Sequence, residues 1–397
     1  MNQEKESVRT ALKKTSYEEK ELRKLEKKRA KQEKYYMSSQ WQLMGRKLIR
    51  HKLAVISFIL LFLLYIGAIF GNFIAPQGLE DYSATYSNAP PSKIHFVHNG
   101  EFAGPFVYHY DITYDKFQNK TFVENTEQIY PIKFFVKGTP YKFLGLFKAD
   151  RHLFGVDNSK LPAGKDPVNL MIFGADKLGR DIFSRILIGS QVSLTVPLIG
   201  TFMSFLLAIV IGGLSGYYGG AVDIVVQRII EVICSFPTLP LWMALSAAIP
   251  PGISVTKVYI FITVIMSLLS WPGLARTVRS KFLALKKEDY VMAAKLAGVT
   301  DFQIIIRHLV PGFMSYLIVS LTLGIPGMIL GETSMSFLGL GMRSPATSWG
   351  VLLQECQSVS NIANCPWKLI PVLYVVVAVL AFNFLGDGLR DAADPYK

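Results

Sequence analysis

The chain has 397 residues, 51% of them hydrophobic, and a mean hydropathy of +0.32. It is too apolar for a typical soluble enzyme, and its apolar residues come in blocks of about 20, the length that crosses a hydrocarbon core. We therefore predict an all-α polytopic membrane protein with six transmembrane helices. Its two ends are expected in the cytoplasm.

The net charge of +13 is concentrated in two segments. Residues 1–52 hold 16 basic and 7 acidic residues, and residues 276–311 hold 7 and 3. These excesses of nine and four account for the whole net charge, and the positive-inside rule places both segments in the cytoplasm. A basic chain can also bind nucleic acid, but no nucleic-acid-binding module is recognisable. We expect a lipid bilayer and no nucleic acid as partner.

Residues 1–52 are predicted to form a basic cytosolic extension that ends in an interfacial elbow, and residues 53–75 the first transmembrane helix. The charged stretch is too long for a signal peptide. Residues 76–188 then lie outside the cell. Apolar and polar residues alternate over 106–114, which is strand periodicity. With further strands at 121–124 and 129–137, this pattern predicts a small β-rich module at about 80–165.

A polar segment precedes the second predicted span, residues 193–214. Gly179 allows a tight turn, and Arg180, Asp181 and Arg185 can pair with one another or with a neighbouring subunit. Structural pinning is the favoured role, and ligand contact is the alternative. Asp176 belongs to the same segment. Glycines at the inner end of the span, residues 212–220, permit close helix packing.

The third predicted span, residues 224–248, carries Arg228 and Glu231 three residues apart, close enough to pair on one helix face. Charged groups at membrane depth face protein or water, so the pair is expected in the bundle interior. It is either a structural ion pair or part of a transport path. Pro237 and Pro240 are both predicted to kink this helix.

A polar stretch, residues 281–311, follows the fourth predicted span at 258–274. Tyr290, Ala293, Ala294 and Ala297 have the spacing of one helix face. Gly298 is a natural helix stop, and residues 300–303 have the spacing of a capping box. Residues 302, 305, 306 and 309 then mark a second amphipathic helix, which Pro311 ends. Two short helices joined at a glycine suit a cytosolic docking loop.

The last two predicted spans are residues 313–335 and 369–385. Gly324, Pro326 and Gly327 predict a kink in the first of them. Glu332, near its outer end, is a candidate polar group on the translocation route or a hydrogen-bonded structural carboxylate. Cys356 and Cys365, in the loop between the spans, are either paired or free.

These residues carry a resemblance to a known family. The polar stretch resembles the EAA loop in membrane subunits of ABC importers of the dipeptide/oligopeptide/nickel type, specifically the C-type subunit. The matching positions are Asp289-Tyr290-Val291, Ala293-Ala294, Gly298, Arg307-His308 and Pro311, with Met292 where the family has glutamate. Residues 174–185 and 331–350, including Pro345 and Ser348-Trp349-Gly350, are similar to two further family segments. The resemblance covers roughly residues 174–397 and the first span.

The resemblance implies a permease subunit of an ATP-driven importer for oligopeptides or dipeptides in the bacterial inner membrane. It would form half of the translocation path within a permease core at 189–397, and the helix at 288–300 would couple it to ATPases. The implied partners are a homologous permease, two cytosolic ABC ATPases and an extracytoplasmic peptide-binding protein. The implied coupling residues are Asp289, Tyr290, Ala293, Ala294, Gly298, Arg307 and His308.

Catalytic motifs are missing from the sequence. It has no phosphate-binding loop of the form G-x-x-x-x-G-K-[ST], no H-E-x-x-H spacing and no G-x-S-x-G elbow. We expect no enzyme activity and no bound metal or cofactor, with ATP and magnesium held by the partner subunits. The alternatives are a permease for nickel or another small solute, and an ion-coupled secondary transporter. The second needs ionisable groups paired in mid-membrane, whereas most charges here lie near the helix ends.

Overall fold

The computed structural model describes residues 40–114, 120–143, 147–159, 161, 167–250, 252–342 and 346–394. Most of the predicted basic extension and Pro345 lie outside these residues. The helices are α1 Gln40–Arg50, α2 Lys52–Ile69, α3 Gly71–Ile74, α4 Ile182–Tyr218, α5 Gly220–Cys234, α6 Thr238–Ala247, α7 Val255–Leu285, α8 Asp289–Leu296, α9 Asp301–Ile304, α10 Val310–Gly312, α11 Met314–Phe337, α12 Trp349–Leu353, α13 Val359–Asn364 and α14 Ile370–Ala393. The strands are β1 His95–His98, β2 Glu101–Tyr114, β3 Lys120–Phe143 and β4 Phe147–Val156.

Five helical segments of the described chain are long and apolar enough to cross a membrane: α2, α4, α7, α11 and Pro366–Ala393, which contains α14. Helices α5 and α6 qualify only as a pair, and they are bent by 83° at the break between them. The described residues therefore hold five candidate spans, or six if the bent pair counts as one. This confirms the predicted helical membrane fold with a β-rich insertion after the first helix.

The bend in the third predicted span lies at Pro237. This residue has an extended ψ of 128°, and α6 begins directly after it. The predicted kink at Pro237 is confirmed. The predicted kink at Pro240 is wrong, because Pro240 lies in the first turn of α6, where a missing backbone N–H interrupts no helical hydrogen bond.

Helix α4 begins at Ile182, eleven residues before the predicted start at 193. The Asp181 side chain accepts hydrogen bonds from the Phe183 and Ser184 amides and so caps the helix. With 37 residues, α4 is about 55 Å long and extends well beyond a hydrocarbon core of about 30 Å. Helix α7 likewise continues to Leu285, eleven residues past the predicted end of its span.

Close packing of α4 on α7 depends on glycine, as the small-residue cluster predicted. A Cβ at Gly212 would lie 2.4 Å from the carbonyl oxygen of Ala275, and one at Gly216 would lie 2.7 Å from that of Arg279. Neither position has room for a side chain. The two backbones can approach this closely only because both residues are glycine.

The sheet, which the sequence predicts to be extracytoplasmic, is a four-stranded antiparallel meander in the order β1-β2-β3-β4. The two strands predicted at 121–124 and 129–137 are one long strand, β3. Asn125 pairs with His109 and Ile129 with Tyr108, so three extra residues of β3 bulge out between the pairs. This bulge absorbs the polar run at 126–128 that interrupts the alternating pattern.

Helix α14 packs against α2 and α11, and α4 packs against α11. Trp349 is fully buried between these helices, and its indole N–H lies 3.3 Å from the Ile186 carbonyl oxygen and 3.2 Å from Ser190 Oγ. In the loop that follows, Cys356 and Cys365 are both buried and free. The structure therefore supports the two-thiol alternative for this pair.

Candidate functional site

The docking loop, residues 281–311, is anchored on the long helices by a buried apolar cluster. Val291 of α8, Ile304 of α9 and Leu309 in the π-helical turn Ile305–Leu309 point inward. They pack on Val278 and Phe282 of α7, and on Phe313 and Leu317 at the start of α11. All of these side chains are at most 7% exposed. The loop is thus packed onto the ends of two spans rather than suspended between them.

The outer side of the docking loop is apolar and open. Leu296 is 87% exposed and Phe302 70% exposed, and Tyr290, Met292 and Ile306 are also exposed. We call these five residues the apolar patch. Ala293, Ala297 and Gly298 are exposed as well, while Ala294 is half-buried. Most of the predicted small-residue face therefore lies on the outer side, with large apolar residues among the alanines.

The second predicted amphipathic face is split between the outside and the core. Phe302 and Ile306 are exposed, but Leu309 is buried. The π-helical turn over residues 305–309 rotates the chain by less per residue than an α-helix does, so the 3.6-residue period fails here. The prediction of one continuous apolar face was wrong for this reason.

Gly298 ends α8 as predicted. Its φ of 80° is left-handed. The Val299 amide donates to the Ala294 carbonyl oxygen and the Gly298 amide donates to that of Lys295, as in a Schellman motif. Thr300 precedes α9, but its side chain caps nothing, so the predicted capping box does not form. The side chain of Asp301 instead accepts a hydrogen bond from the Tyr217 hydroxyl at 2.5 Å.

A polar network ties the docking loop to the inner end of α4. Besides the bond from Tyr217 to Asp301, Lys286 Nζ lies 3.1 Å from the Gly216 carbonyl oxygen. The Arg279 guanidinium donates two hydrogen bonds of 2.5 Å to the Asp223 carboxylate. This ion pair joins α5 to α7. Sequence reasoning missed these links, because Tyr217 and Asp301 are 84 positions apart and no local pattern relates them.

Three further predicted coupling residues flank the patch. The Tyr290 and His308 rings approach to 6.5 Å between centroids, so α8 and the π-helical turn meet there. Arg307 is exposed. Asp289 is the acidic residue in the first turn of α8, where it complements the helix dipole. The predicted coupling residues therefore lie together on α8 and on the turns that follow it, and their role in coupling stays a prediction.

The polar segment before α4 is centred on Asp176. Its Oδ2 accepts a hydrogen bond from Arg180 Nε at 2.7 Å and another from Arg185 Nη1. Its Oδ1 accepts hydrogen bonds from the backbone amides of Leu178 and Arg180. Asp176, Arg180 and Arg185 are all largely buried. This arrangement supports the pinning role for the segment, since Asp176, Arg180 and Arg185 bond to one another inside the protein.

Among the residues that the structure describes, Asp181 does not pair with an arginine, contrary to one predicted alternative. It caps α4 and also accepts from Ser184 Oγ at 2.6 Å. Burial raises the pKa of Asp181 to about 6. Gly179 has a φ of 73°, and a Cβ there would lie 1.9 Å from the Ser83 carbonyl oxygen. Glycine is thus required at the predicted tight turn.

A second buried ion pair beside this segment was missed by sequence reasoning. Lys368 is 2% exposed, and its Nζ lies 3.0 Å from Glu355 Oε2 and 2.7 Å from Asn88 Oδ1. It joins the start of α14 to the loop before the sheet. Nothing in the sequence around Lys368 distinguishes it from an exposed lysine at a span end.

Glu332 is completely buried in α11. Ser336 Oγ donates to its carboxylate at 2.7 Å and Ser193 Oγ lies 3.4 Å away. Of the two predicted alternatives, the structure supports a hydrogen-bonded structural carboxylate, not a group exposed to a route. Arg228 and Glu231 do pair, at 2.6 Å, but they are 75% and 51% exposed, so the expectation of an interior position was wrong for this chain.

A cavity of about 420 Å³ lies between α4, α6, α7 and α11. Its lining mixes hydroxyls with apolar side chains and glycines, and it includes Thr201, Ser204, Thr238, Trp242 and Gly327. Among the described residues, no group of three or more His, Cys, Asp or Glu side chains is placed to hold a metal ion.

This architecture, a bundle of candidate spans with a polar loop packed onto the ends of two of them, is that of a membrane permease subunit. Residues 208–396 match the family of binding-protein-dependent transport system inner membrane components, and residues 39–91 match the N-terminal transmembrane domain of oligopeptide transport permease C. The chain belongs to this family of inner membrane components. It is a multi-pass, non-catalytic permease of the inner membrane, and membership implies ATPase partners.

Several curated proteins are similar to the chain. The dipeptide transport system permease protein DppC of Bacillus subtilis is 38% identical over 225 residues, 56% of this chain and 68% of that protein. The oligopeptide permease protein OppC of Haemophilus influenzae is 39% identical, covering 56% and 70%. The glutathione permease protein GsiD of Pectobacterium atrosepticum is 39% identical, covering 56% and 71%. Among solved structures, the inward-facing MetNI methionine ABC transporter matches with a TM-score of 0.42 and 17% identity, over 53% of this chain and 96% of that one.

Proposed function

We propose that the chain forms half of the membrane path of an ATP-driven importer for peptides. The relatives named for dipeptide, oligopeptide and glutathione transport share a peptide backbone in their substrates, which supports this substrate class. The cavity between α4, α6, α7 and α11 offers hydroxyls of Thr201, Ser204 and Thr238 in an otherwise apolar lining. Such a lining can hydrogen bond to a peptide backbone without selecting one side chain.

The proposed assembly contains a homologous second permease, two cytosolic ABC ATPases and an extracytoplasmic peptide-binding protein. ATP and magnesium belong to the ATPases, because this sequence has no phosphate-binding loop. The second permease would cover part of the apolar surface of the spans and the exposed pair of Arg228 and Glu231. Glu332 and the Asp176 cluster hold the bundle together rather than contact the substrate.

The apolar patch is the observation that carries the proposal. Large apolar side chains at a cytosolic helix hairpin are unfavourable in water, and contiguous exposed apolar surface marks interaction sites. The buried cluster beneath the patch makes the loop a rigid extension of α7 and α11. A partner ATPase that moves the patch therefore moves the spans as well.

The coupling step follows from these contacts. When the ATPase dimer closes, α8 moves with it, and the bonds of Tyr217 and Lys286 transmit the movement to α4. The spans can bend where proline interrupts them, at Pro197 in α4, Pro272 in α7, Pro326 in α11 and the break at Pro237. The path then opens alternately to the two sides of the membrane.

The test is co-purification of the tagged chain in mild detergent, followed by mass spectrometry. We expect a second permease and P-loop ATPases, and we expect the variant Ala293→Trp to lose the ATPases and peptide uptake because its side chain projects from the docking surface. The matched control is Ala103→Trp, the same change at an exposed residue of the extracytoplasmic strand β2. Full ATPase recovery with Ala293→Trp would contradict the docking role.

A further inference from the structure

The hairpin at one edge of the predicted extracytoplasmic sheet is strongly basic. We call residues 132–143 of β3 and residues 147–156 of β4 the outer hairpin. The five basic residues of the outer hairpin are Lys133, Lys137, Lys142, Lys148 and Arg151, and its acidic residue is Asp150. The difference is a net charge of +4 on two paired strands.

The strand register places like charges opposite each other. Lys142 pairs with Lys148 and Lys137 with Arg151. Directly opposed like charges destabilise a sheet unless an anion screens them. Asp150 lies 3.6 Å from Lys137, but among the described residues neither Lys142 nor Lys148 forms an ion pair. An anion from outside the chain would therefore stabilise this end of the outer hairpin.

The same end of the outer hairpin is aromatic. Phe143 and Phe147 pair across the strands where β3 and β4 meet. The Phe143 ring lies 5.8 Å from Phe70 and 6.5 Å from Phe73, and Phe135 lies 6.3 Å from Phe73. Phe135 has a φ of 56°, which is rare for an aromatic residue. These contacts hold the outer hairpin beside the end of the first span.

The length of α2 gives the depth of these contacts. Its 18 residues are about 27 Å long, close to the hydrocarbon thickness of about 30 Å. Phe70 and Phe73, which directly follow α2, therefore lie at the outer interface of the bilayer. Phe58, Phe62 and Ile69 of α2 are exposed, as expected for a surface that faces lipid. The outer hairpin continues this lipid-facing surface outward.

We propose that the outer hairpin rests on the outer leaflet and binds the headgroups of anionic phospholipids. Phe134 and Phe147, which are 75% and 67% exposed, insert at the interface, where aromatic rings are favoured. Lys142 and Lys148 neutralise lipid phosphates, which removes the repulsion between them. The combination of aromatic and basic side chains level with the end of a span is what distinguishes a lipid surface from a soluble partner.

The test places a photo-reactive p-benzoylphenylalanine at position 147, or at position 96 as control, in the assembled transporter. Phe96 is also an exposed phenylalanine, but it lies in β1, at the opposite edge of the sheet. The vesicles contain equal amounts of phosphatidylglycerol and phosphatidylcholine, and mass spectrometry identifies the adducts. We expect phospholipid adducts at position 147 and several times fewer at position 96. An adduct with another protein at position 147, or equal lipid labelling at both positions, overturns the proposal.

Variants that remove basic residues test whether the outer hairpin prefers anionic headgroups. At position 147 we expect phosphatidylglycerol adducts to exceed phosphatidylcholine adducts by about fivefold, because basic residues near the surface attract anionic lipid. The double variant Lys142→Gln/Lys148→Gln should bring this ratio close to one. Lys93→Gln, an exposed lysine before β1, should leave it unchanged. Anionic headgroup binding is ruled out if the ratio of phosphatidylglycerol to phosphatidylcholine adducts stays high in the double variant. It is also ruled out if this ratio is near one in the original chain.

Discussion

Asp176 determines the geometry of the outer end of α4 through two arginines. Its carboxylate accepts hydrogen bonds from Arg180 and Arg185 and from two backbone amides. It therefore stabilises the turn before α4 and also holds Arg185 in the first turn of that helix. Arg185 also reaches toward Thr347 at 3.4 Å, in the segment before α12. One buried carboxylate thus connects parts of the chain that are more than 160 residues apart.

Replacement of this carboxylate should be costly. Asp176→Asn removes the carboxylate that is bonded to two largely buried guanidinium groups, and breaking such a pair typically costs about 3–5 kcal/mol. We expect a clear fall in the thermal unfolding midpoint of the purified protein in detergent. Asp150→Asn removes a carboxylate from an exposed pair with Lys137, which contributes at most about 1 kcal/mol. Similar midpoints for the two variants would mean that the Asp176 cluster does not pin the segment.

The docking loop shows, at the scale of an element, how a short polar stretch becomes rigid. Its three inward side chains, Val291, Ile304 and Leu309, fix it on α7 and α11. The bond from Tyr217 to Asp301 adds a connection to α4, the longest helix of the described chain. The loop therefore contacts three spans, and a displacement of α8 reaches each of them.

Removal of the Tyr217 hydroxyl should weaken this coupling without removing the docking surface. A hydrogen bond to a charged group contributes about 1.5–3 kcal/mol, so we expect Tyr217→Phe to lower the amount of substrate imported per ATP hydrolysed severalfold. The measurement is uptake and ATP hydrolysis in the same proteoliposomes. Tyr218→Phe is the matched control, since Tyr218 is its exposed neighbour. Equal coupling ratios in the two variants would exclude a role for the Asp301 bond.

Local sequence signals predicted the features of these elements that depend on local backbone geometry. Gly298 ends α8, Pro237 bends a predicted span, and Gly212 allows α7 to pack closely on α4. Each of these effects follows from the backbone geometry of a single residue. The links of Tyr217 to Asp301 and of Lys368 to Glu355 were not predictable, since they depend on how distant helices pack. The exposed position of Arg228 and Glu231 is also a packing outcome, which helical spacing alone does not determine.

The whole molecule carries ion pairs at helix ends among its described residues. Its Arg279–Asp223 pair joins the inner ends of α5 and α7, and the Lys368–Glu355 pair lies at the outer start of α14. A secondary transporter needs ionisable groups that exchange protons or ions along the path, whereas these pairs hold helix ends together. The docking loop, in contrast, is a large cytosolic surface with an exposed apolar patch. The balance of these features favours energy supplied from a cytosolic partner.

The energy source is therefore the decisive property of the intact complex. In proteoliposomes that hold the assembled transporter, we expect peptide uptake to require ATP and to persist when a protonophore abolishes the proton gradient. Substitution of the phosphate-binding-loop lysine in the co-purified ATPase should stop uptake while assembly is retained, because that lysine binds the nucleotide phosphates. Uptake that continues without ATP and stops with the protonophore would instead identify an ion-coupled carrier. In that case the apolar patch would need a function other than ATPase docking.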